Sequence, residues 1–520
     1  MTSFPTLMTS YLTHSAVERG EHTAIRDGVL NLTYDETYRL ALAVARDLRR
    51  NGVCVGDRVV LLMSNSTGFC VSFWGVILAG AVAVPLNPET KRDKLAWIIR
   101  DCTPRCTIVD EAISAMAEDA ARDSDADVYF LTHAATGFRG SEWLPFDVKA
   151  LPNVDAAAVG TRALIDRDLA AIIYTSGSTG DPKGVMLTHL NLTTAARSVS
   201  HYLGYCPSDV IFCAIPLTFD YGLHQLTMAT LVGATLYVEP GFSQPLFSLS
   251  RLVASKATVF PIVPTMVPLI EPLANRFDLS GVRCLSSTAA ALHVGNIDKL
   301  HAMFPNATIF SMYGLTECHR CTYLDPAHLT TRKSSVGKAI PNTQLWVVDQ
   351  EGRRHFHSAT GELVIRGSTV MKGYWNNPAK TAEKLRLCPD THETVLYTGD
   401  TCRLDEEGYL YFVARADDIL KVGGQKVAPS EIESALLTHP AVSQASVIGS
   451  DHPVHGQRPI AFVTLRHPDQ ACSDTLLDWC KERLESQAVP ARIVIISEFT
   501  RNQNGKIDKH ALRERLLEAV

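Results

Sequence analysis

The chain has 520 residues, of which 46% are hydrophobic and 20% are charged, and its formal net charge is −6. This composition is typical of a soluble globular protein. A chain of this length is too long for a single hydrophobic core, so we expect at least two domains. The net charge is small and no long basic run occurs, so a nucleic-acid partner is not indicated.

The first apolar feature in chain order is the segment 69–86, which is barely long enough to cross a bilayer. Because Gly80 and Pro85 interrupt it, we predict a buried helix, a turn and a short buried strand, and no membrane span. The N-terminal stretch Met1–Pro5 lacks the features of a secretory signal. Thirteen scattered cysteines indicate reduced thiols, so we expect a cytoplasmic protein.

Apolar β-branched runs alternate with helical patterns through most of the chain. Such runs lie at 58–62, 81–84, 107–109, 171–173, 257–260 and 307–310. This alternation predicts an α/β fold with mostly parallel sheets covered by helices. Around 361–366 and 408–412, short strands with glycine-rich turns predict a smaller β-rich subdomain.

The pattern changes again after Arg415, where a compact α+β unit is predicted. Its elements are helices at 430–437 and 473–486 and strands at 442–448 and 459–465. We therefore expect a domain boundary near Ala416, which divides the chain into residues 1–416 and 417–520.

A glycine-rich loop follows the apolar run 169–173, and the sequence from Tyr174 to His189 is YTSGSTGDPKGVMLTH. Hydroxyls, glycine backbone amides and a lysine can together hold phosphate oxygens. The residues that offer these groups are Thr175, Ser176, Gly177, Ser178, Thr179, Gly180 and Lys183. The Walker pattern does not fit, because Lys183 precedes Gly184. Taken alone, the loop leaves a phosphate site and a Ser/Gly-rich surface turn equally open.

Further motifs follow the loop in a fixed order. They are MYGLTE at 312–317, YTGD at 397–400, GYLYFVAR at 408–415, KVGG at 421–424 and NGKIDK at 504–509. In this order and at these separations they resemble the motifs of the adenylate-forming superfamily, which includes acyl-CoA synthetases, amino-acid adenylation domains and firefly-type luciferases. The resemblance extends from about residue 33 to residue 516.

The resemblance implies a large N-terminal domain of stacked subdomains, a small mobile C-terminal domain and an active site between them. It also implies that a carboxylic acid attacks the α-phosphate of ATP, pyrophosphate leaves and a thiol then takes the acyl group. The thiol belongs to coenzyme A or to the phosphopantetheine arm of a carrier protein. Negative charge that builds at the phosphorus requires fixed positive charge and a metal, here Mg²⁺.

The same resemblance assigns roles at the phosphate end. The loop at 175–180 and Lys183 would hold the departing phosphates, and Thr316 would contact the α-phosphate. Glu317 matches a position that helps to bind Mg²⁺, for which carboxylate oxygen is a suitable ligand. Lys506 matches the catalytic lysine of the last motif, and its ammonium group would bridge the attacking carboxylate and the α-phosphate.

At the nucleoside end, the resemblance implies that Tyr313, followed by Gly314, stacks on adenine. Asp400 would accept hydrogen bonds from the two ribose hydroxyls, and Arg415 would support the ribose and phosphate. Ala414 departs from the family pattern, which usually has glycine before this arginine, so the local backbone geometry stays open.

The thiol half-reaction in this superfamily follows a rotation of the small domain. Here the rotation would move Lys506 out of the site and bring the segment Lys421–Gly424 in. Asp417 matches the hinge position. Gly423 and Gly424 would let a pantetheine arm pass close to the backbone.

The stretch 216–225 resembles the start of the acid-binding helix. In amino-acid adenylation domains an aspartate here receives the substrate's ammonium group, and Asp220 falls on that position after Phe219. A charge-assisted contact with an ammonium group and a helix cap are equally open roles for Asp220. The other pocket candidates form a mid-sized, partly polar set: Tyr221, His224, Ser287, Thr288 and Met312.

Two segments indicate different branches of the superfamily. NGKIDK at 504–509 resembles the amino-acid-adenylating branch, whereas 422–433 resembles the acyl-CoA synthetase branch. We favour an acyl-CoA synthetase-like acid–thiol ligase for a small carboxylic or amino acid. The alternative is a stand-alone amino-acid adenylation enzyme that loads a separate carrier protein.

Overall fold

The computed structural model describes residues 6–151, 164–175, 182–289, 292, 294–415, 418, 420–422, 425–452, 456–467, 471–502 and 506–518. The first part of the chain alternates helices and strands. Its helices are α1 (Met8–Arg19), α2 (Tyr34–Arg50), α3 (Thr67–Leu78), α4 (Arg92–Cys102) and α5 (Ser114–Asp123). Its strands are β1 (Thr23–Arg26), β2 (Asn31–Thr33), β3 (Arg58–Leu62), β4 (Val82–Leu86), β5 (Cys106–Asp110), β6 (Tyr129–Ala134), β7 (Gly137–Arg139) and β8 (Trp143–Pro145).

The middle of the chain continues this alternation. Its helices are α6 (His189–Leu203), α7 (Asp220–Val232), α8 (Pro245–Ala254), α9 (Val267–Ile270) and α10 (Val294–Met303). Its strands are β9 (Leu169–Thr175), β10 (Lys183–Thr188), β11 (Val210–Cys213), β12 (Thr235–Val238), β13 (Val259–Ile262), β14 (Cys284–Ser287), β15 (Thr308–Tyr313), β16 (Thr322–Leu324) and β17 (Lys338–Ala339).

A stretch rich in strands follows and contains the helix α11 (Pro378–Lys384). Its strands are β18 (Thr343–Val348), β19 (Arg354–His355), β20 (Ala359–Gly367), β21 (Gly373–Tyr374), β22 (Leu385–Leu387), β23 (Thr394–Leu404) and β24 (Leu410–Arg415). Five of these strands form a sheet in the order β19-β18-β20-β23-β22, and β24 pairs with β23. The predicted β-rich subdomain is confirmed.

Two nine-stranded sheets form the bulk of the molecule. The first has the order β17-β16-β15-β14-β13-β11-β12-β1-β2, and the second has the order β21-β10-β9-β4-β3-β5-β6-β7-β8. Their central strands pair in parallel, whereas β15 to β17 and the pair β9–β10 are antiparallel. One apolar core contains side chains of both sheets and of the helices between them. The predicted α/β fold with stacked, mixed sheets is confirmed.

Helix α3 is buried at every position and contacts strands of both large sheets. Gly75 permits its close packing on α2, since a Cβ there would lie 2.6 Å from Cγ1 of Val44. A turn at Gly80, with φ of +70°, then leads into the buried strand β4. The apolar segment 69–86 is thus a buried helix, a turn and a strand, as predicted. Across the described residues, no helix is both long and apolar enough to cross a membrane.

The last part of the chain forms a smaller domain with its own sheet and apolar core. Its helices are α12 (Pro429–Leu437), α13 (Ser473–Lys481) and α14 (Lys509–Glu518). Its strands are β25 (Leu420–Val422), β26 (Gln425–Val427), β27 (Val442–His452), β28 (Gly456–Leu465) and β29 (Arg492–Ile495), in the order β26-β25-β28-β27 with β29 on β28. Residues 416 and 417 lie outside the described residues, so the boundary between 1–416 and 417–520 stays a prediction.

Candidate active site

The carboxyl ends of the parallel strands in the first sheet bring the pocket candidates together. Strand β14 ends at Ser287, which pairs with Ser311 of β15, and β15 ends at Tyr313. Helix α7 begins at Asp220, after β11 of the same sheet. Ligands of open α/β sheets bind at this edge, because loops of several strands converge there.

The glycine-rich loop is anchored by the hairpin of β9 and β10. Thr175, the last residue of β9, pairs with Lys183, the first residue of β10. The Thr175 hydroxyl donates a hydrogen bond to the Lys183 carbonyl oxygen at 3.4 Å. The two ends of the loop therefore meet at one point. The predicted phosphate-binding residues within it, Ser176, Gly177, Ser178, Thr179 and Gly180, lie outside the described residues.

The turn that follows β15 requires glycine at position 314. A Cβ on Gly314 would lie 1.9 Å from the carbonyl oxygen of His319, which is less than any side chain tolerates. The turn closes when the Cys321 N–H donates to the Tyr313 carbonyl oxygen at 3.0 Å. The motif at 312–317 is thereby folded back against residues 319–321.

Glu317 is half-buried and held in one orientation. The Tyr374 hydroxyl donates to Oε1 of Glu317 at 2.7 Å, and the Met371 N–H donates to the Glu317 carbonyl oxygen at 2.8 Å. Burial raises the pKa of Tyr374, and the Glu317 charge raises it further, so the hydroxyl keeps its proton for this bond. Thr316 precedes Glu317 in the same half-buried turn.

Asp400 is buried and accepts two side-chain hydrogen bonds. The Tyr313 hydroxyl donates to its Oδ2, and Arg415 Nε donates to its Oδ1 at 3.2 Å. Strands β23 and β24 place Asp400 and Arg415 opposite each other. Burial alone lowers the pKa of Arg415, but the charges of Asp400 and Glu317 outweigh burial, so its pKa lies above the usual value. Arg415 is therefore a fixed positive charge beside a buried carboxylate.

Lys506 extends from the C-terminal domain to the first sheet. Its Nζ lies 6.0 Å from the centroid of the Phe219 ring. The Lys506 N–H donates to Asn502 Oδ1 at 3.0 Å, and the Lys506 carbonyl oxygen accepts from the Asn502 N–H at 2.8 Å. These two bonds fix the backbone of Lys506 relative to Asn502.

The ammonium group of Lys506 adjoins two sets of charges. Burial lowers its pKa, and the positive charges of Arg415 and Arg320 lower it further. Asp220 and Asp400 act in the opposite direction. One set, Arg415 with Asp400, lies at the predicted nucleoside end, and the other, Arg320 with Asp220, lies at the predicted acid end. The Lys506 ammonium is thus close to both the predicted nucleoside end and the predicted acid end of the site.

Asp220 is the first residue of α7, and the N-cap position of that helix is occupied by Phe219 and not by Asp220. Arg320 Nη1 donates to Asp220 Oδ2 at 3.3 Å, and both side chains are only 3% exposed. The Arg320 guanidinium also lies 4.6 Å over the ring of Tyr221. The helix-cap role is therefore not observed, whereas the ammonium role of Asp220 stays a prediction.

The remaining pocket candidates lie on α7 and at the ends of β14 and β15. The Tyr221 hydroxyl donates to the Ser286 carbonyl oxygen at 2.8 Å, which ties α7 to β14. The ring of His224 lies 5.4 Å from that of His319. Burial lowers the pKa of His224 well below its usual value, so this ring is neutral at physiological pH. Ser287 and Thr288 are buried at the end of β14, and Met312 is buried near the end of β15.

Comparison with known proteins identifies the family. A family model described as AMP-binding enzyme matches residues 12–375, and one described as AMP-binding enzyme C-terminal domain matches residues 431–506. The chain belongs to the AMP-binding enzyme family. Among its relatives, 2-succinylbenzoate–CoA ligase of Geobacillus kaustophilus (strain HTA426) is 30% identical over 98% of both chains.

Solved structures of AMP-binding enzymes share the fold over nearly the whole chain. The anthranilate CoA ligase AuaEII in complex with anthranoyl-AMP superimposes with a TM-score of 0.87, 27% identity and coverage of 99% of this chain and 98% of that one. ATP-bound MatB from Rhodopseudomonas palustris superimposes with a TM-score of 0.84, 27% identity and coverage of 98% of each chain. This AMP-binding enzyme is an AMP-forming acid–thiol ligase, and the acyl-CoA synthetase-like interpretation is supported over the amino-acid adenylation alternative.

Sequence reasoning missed Tyr374, His319 and Arg320. Arg320 and Asp220 are 100 positions apart, and their contact depends on how α7 packs against the turn after β15. The available signal was the pair His319-Arg320, which follows the motif 312–317 after Cys318. Charged side chains are rarely buried without a partner, so a charge this close to a binding motif is a candidate for a functional role. Cys318 and Cys321 flank the pair, but within the described ranges no three His, Cys, Asp or Glu side chains are arranged to hold a metal ion.

The predicted hinge and thiol-channel residues of this AMP-binding enzyme, Asp417, Gly423 and Gly424, lie outside the described residues. Strand β24 ends before this region at Arg415, and β25 begins at Leu420. Nearby, Lys509 Nζ donates to Asp418 Oδ2 at 3.4 Å. The departure from the family pattern at Ala414 is accommodated, because this buried residue pairs with Thr401 in the β23–β24 ladder.

Proposed function

We propose that this enzyme activates a small carboxylic acid with ATP and transfers the acyl group to the thiol of coenzyme A. The observation that carries the proposal is the position of Lys506. Its ammonium lies 6.0 Å from the Phe219 ring at the acid end and experiences the charges of Asp400 and Arg415 at the nucleoside end. The Lys506 ammonium would therefore lie close to the carboxylate of the acid and to the α-phosphate of the nucleotide when both are bound.

At the nucleoside end we propose that adenine stacks on Tyr313, beside the backbone of Gly314, and that Asp400 binds the ribose. An ionised carboxylate offers about four lone-pair sites. Tyr313 and Arg415 each donate one hydrogen bond to Asp400, which leaves acceptor capacity for a pair of hydroxyls. The same two bonds orient Asp400 before ATP binds, so little reorganisation is required.

At the acid end we propose a pocket at the carboxyl edge of the first sheet. The proposed lining is partly polar, which favours a small or mid-sized acid over a long hydrocarbon chain. The proposed lining residues are Phe219, Asp220, Tyr221, His224, Ser287, Thr288 and Met312.

Adenylation would proceed by attack of a carboxylate oxygen on the α-phosphorus, with pyrophosphate as the leaving group. Negative charge then collects on the α-phosphate oxygens, and the Lys506 ammonium and the Thr316 hydroxyl would stabilise it. The loop at 175–180 and Lys183 would receive the pyrophosphate. A lysine on a flexible stem suits this step because its point charge can follow the charge as it develops.

We propose Mg²⁺ as the metal of the phosphate end, with Glu317 as its protein ligand. The half-buried carboxylate is oriented by the Tyr374 hydroxyl. A single carboxylate fits Mg²⁺, which keeps several waters and binds phosphate oxygens of the substrate. Bound there, the ion would neutralise charge on the phosphates of ATP.

For the thiol half-reaction we propose a rotation of the domain 417–520 relative to the domain 1–416, with Asp417 as the hinge. In this proposal the present arrangement, with Lys506 beside Phe219, would be that of the adenylation step. Rotation would withdraw Lys506 and bring Gly423 and Gly424 to the site, where the pantetheine arm would pass. A separate carrier protein is the alternative thiol donor.

We propose the cytoplasm as the location of this enzyme. All thirteen cysteines are free thiols. Reduced thiols in this number are typical of compartments that keep glutathione and thioredoxin reduced.

The proposal is tested by ATP–pyrophosphate exchange with a panel of acids, followed by product analysis with coenzyme A. We expect exchange that requires both Mg²⁺ and a cognate acid, and then an acyl-CoA thioester with release of AMP. Release of ADP, or exchange that is independent of the acid, would contradict it. Thioester formation on a carrier protein but not on coenzyme A would favour the alternative acceptor.

A further inference from the structure

The guanidinium of Arg320 is buried with only part of its hydrogen-bonding capacity used. Nη1 donates to Asp220 Oδ2 at 3.3 Å and to the His319 carbonyl oxygen at 2.8 Å. Nε and Nη2 have no hydrogen-bond partner among the residues that the structure describes. Buried donors of this kind cost about 1–3 kcal/mol each when they stay unpaired, and more in charged groups. Two buried nitrogens of Arg320 thus lack a partner that a bound ligand would supply.

Other buried polar atoms of the pocket candidates, and of His319 next to Arg320, are also unpaired within the described part of the chain. Both ring nitrogens of His319 and Nε2 of His224 are in this state, as are the hydroxyls of Ser287 and Thr288. Native interiors leave few buried polar atoms without a partner, and each one requires an explanation. A group of them at the carboxyl edge of the first sheet indicates a ligand with several hydrogen-bonding atoms.

The charges of this region nearly cancel before a substrate binds. Asp220 and Arg320 offset each other, and burial lowers the pKa of His319 to about 4 and that of His224 well below its usual value. Both rings are therefore neutral at physiological pH. The remaining charge is the Lys506 ammonium, which the reacting carboxylate would balance.

A second charge on the substrate would disturb this balance. An ammonium group at the remote end would add a positive charge beside Arg320 and Lys506, and a second carboxylate would add a negative charge beside Asp220. Burying a charge without a partner is costly. A neutral group that both accepts from Arg320 and donates to Asp220 adds no charge and pairs with the unpartnered nitrogens of Arg320.

We infer that the acid carries an uncharged group with both a hydrogen-bond acceptor and a donor, such as a carboxamide or a hydroxyl, at the end remote from its reacting carboxylate. Arg320 and Asp220 bind that group as a pair, and the inference rests on the proposed function. It makes Arg320 a specificity-determining residue of the acid end.

Acyl sulfamoyl adenosines test this inference, because they mimic the acyl adenylate and their binding does not require turnover. A series of equal chain length ends in a methyl, carboxamide, carboxylate or ammonium group, and a second series places the same groups on a benzoyl ring. Calorimetry gives the Kd of each compound. We expect the carboxamide to bind at least about tenfold more tightly than the methyl compound and than either charged compound.

Charge variants of the pair sharpen the test. In Asp220→Asn the carboxylate compound should gain at least about tenfold relative to the ammonium compound, because Arg320 is left unbalanced. In Arg320→Met the ammonium compound should instead gain affinity relative to the carboxylate compound. Asp209→Asn is the matched control, since Asp209 is 2% exposed and pairs with Arg283 away from the site. The control should keep the wild-type order of affinities.

The outcomes separate this inference from the proposed function. If the wild-type protein binds all four end groups equally, or prefers a charged one, the inference is overturned. The proposed adenylate-binding site is still supported in that case, because the compounds bind. If no compound binds, the proposed function itself fails. The wild-type series decides the question even where a variant does not fold, which thermal melting of each variant would reveal.

Discussion

Lys506 and Arg320 are cations that lie on different domains and adjoin the same carboxylate. The charge of Asp220 acts on Lys506, and Asp220 also accepts a hydrogen bond from Arg320. Arg320 lies in the turn after β15, whereas Lys506 precedes α14. Charges held by such partners need little rearrangement when a transition state forms, which is the main source of electrostatic catalysis.

Removal of the Lys506 ammonium should slow the adenylation half-reaction but leave the thioester half-reaction nearly unchanged. We expect Lys506→Ala to slow adenylation by about 10²–10³-fold, because a donor to the developing charge is lost. A preformed acyl adenylate should still give thioester at close to the wild-type rate. Single-turnover assays of each half-reaction measure this, with the exposed Lys481→Ala as a control in the same domain. An equal loss in both halves would contradict the rotation proposed here.

The protonation of Lys506 should limit adenylation at alkaline pH. Its pKa is lowered from 10.5, chiefly by burial. Since the protonated form is the active one, activity should fall as pH rises through this lowered pKa, earlier than an exposed lysine would allow. The pH–rate profile of pyrophosphate exchange measures this. Lys506→Arg should be slower but should lose the alkaline decline, and an unchanged decline in that variant would assign the titration to another group.

Tyr374 acts through the Glu317 carboxylate. We expect Tyr374→Phe to weaken the apparent Mg²⁺ affinity by about tenfold, because groups that orient a metal ligand contribute in this range. Titration of pyrophosphate exchange with Mg²⁺ measures the shift. Tyr129→Phe removes a comparable tyrosine–carboxylate bond, 2.8 Å to Asp47, in a remote part of the second sheet. An equal shift in both variants would show that the effect is not local to Glu317.

The turn after β15 illustrates how an element positions several functional groups at once. It places Tyr313 next to Asp400, orients Glu317 toward Tyr374 and sets Arg320 beside Asp220. The tight approach of Gly314 to the His319 carbonyl oxygen makes this arrangement possible. A change at this glycine should therefore affect nucleotide and acid together.

We expect Gly314→Ala to reduce adenylation by about 10²-fold or more, since displacements near 1 Å have effects of this size. The KM for ATP and the KM for the acid should both rise. Gly241→Ala is the matched control, because no heavy atom lies within 4 Å of a Cβ there and the backbone is not left-handed. A variant at position 314 with wild-type kinetics would mean that the turn does not couple the two ends.

Local patterns predicted the elements better than their arrangement. The helix predicted at 430–437 is observed at Pro429–Leu437, but the predicted serine cap is wrong. Ala428 is the N-cap, and the Ser430 hydroxyl lies inside the helix and donates to the Val413 carbonyl oxygen. The helix predicted at 473–486 ends at Lys481, where the chain turns toward β29. The strand predicted at 408–412 begins only at Leu410, because a turn at Gly408 with φ of +79° precedes it.

Contacts between distant residues were beyond the sequence patterns. The motifs predicted Tyr313, Glu317, Asp400 and Lys506 as neighbours only through family resemblance. No periodicity or spacing connects Asp220 with Arg320, because their contact follows from how helices and turns pack in three dimensions. The sequence likewise did not predict which strands of the mixed sheets are antiparallel, since pairing direction depends on partners far away in the chain.

At the scale of the whole molecule, polar pairs outside the site join the two domains among the residues that the structure describes. Arg466 Nη1 donates to Glu271 Oε2 at 3.4 Å, and the Ser430 hydroxyl donates to the Val413 carbonyl oxygen. Both side chains of the ion pair are about one-third exposed, at 34% and 35%, so the pair adds little to the interface. Weak contacts of this kind are compatible with the proposed rotation.

Oxygen labelling of the acid tests the proposed chemistry most directly. When the acid carries ¹⁸O in both carboxylate positions, attack on the α-phosphorus followed by thiolysis should leave one labelled oxygen in the AMP. Mass spectrometry of the AMP and pyrophosphate measures this. Label in pyrophosphate or inorganic phosphate, with none in AMP, would contradict the adenylation chemistry on which the roles of Lys506 and Arg320 depend.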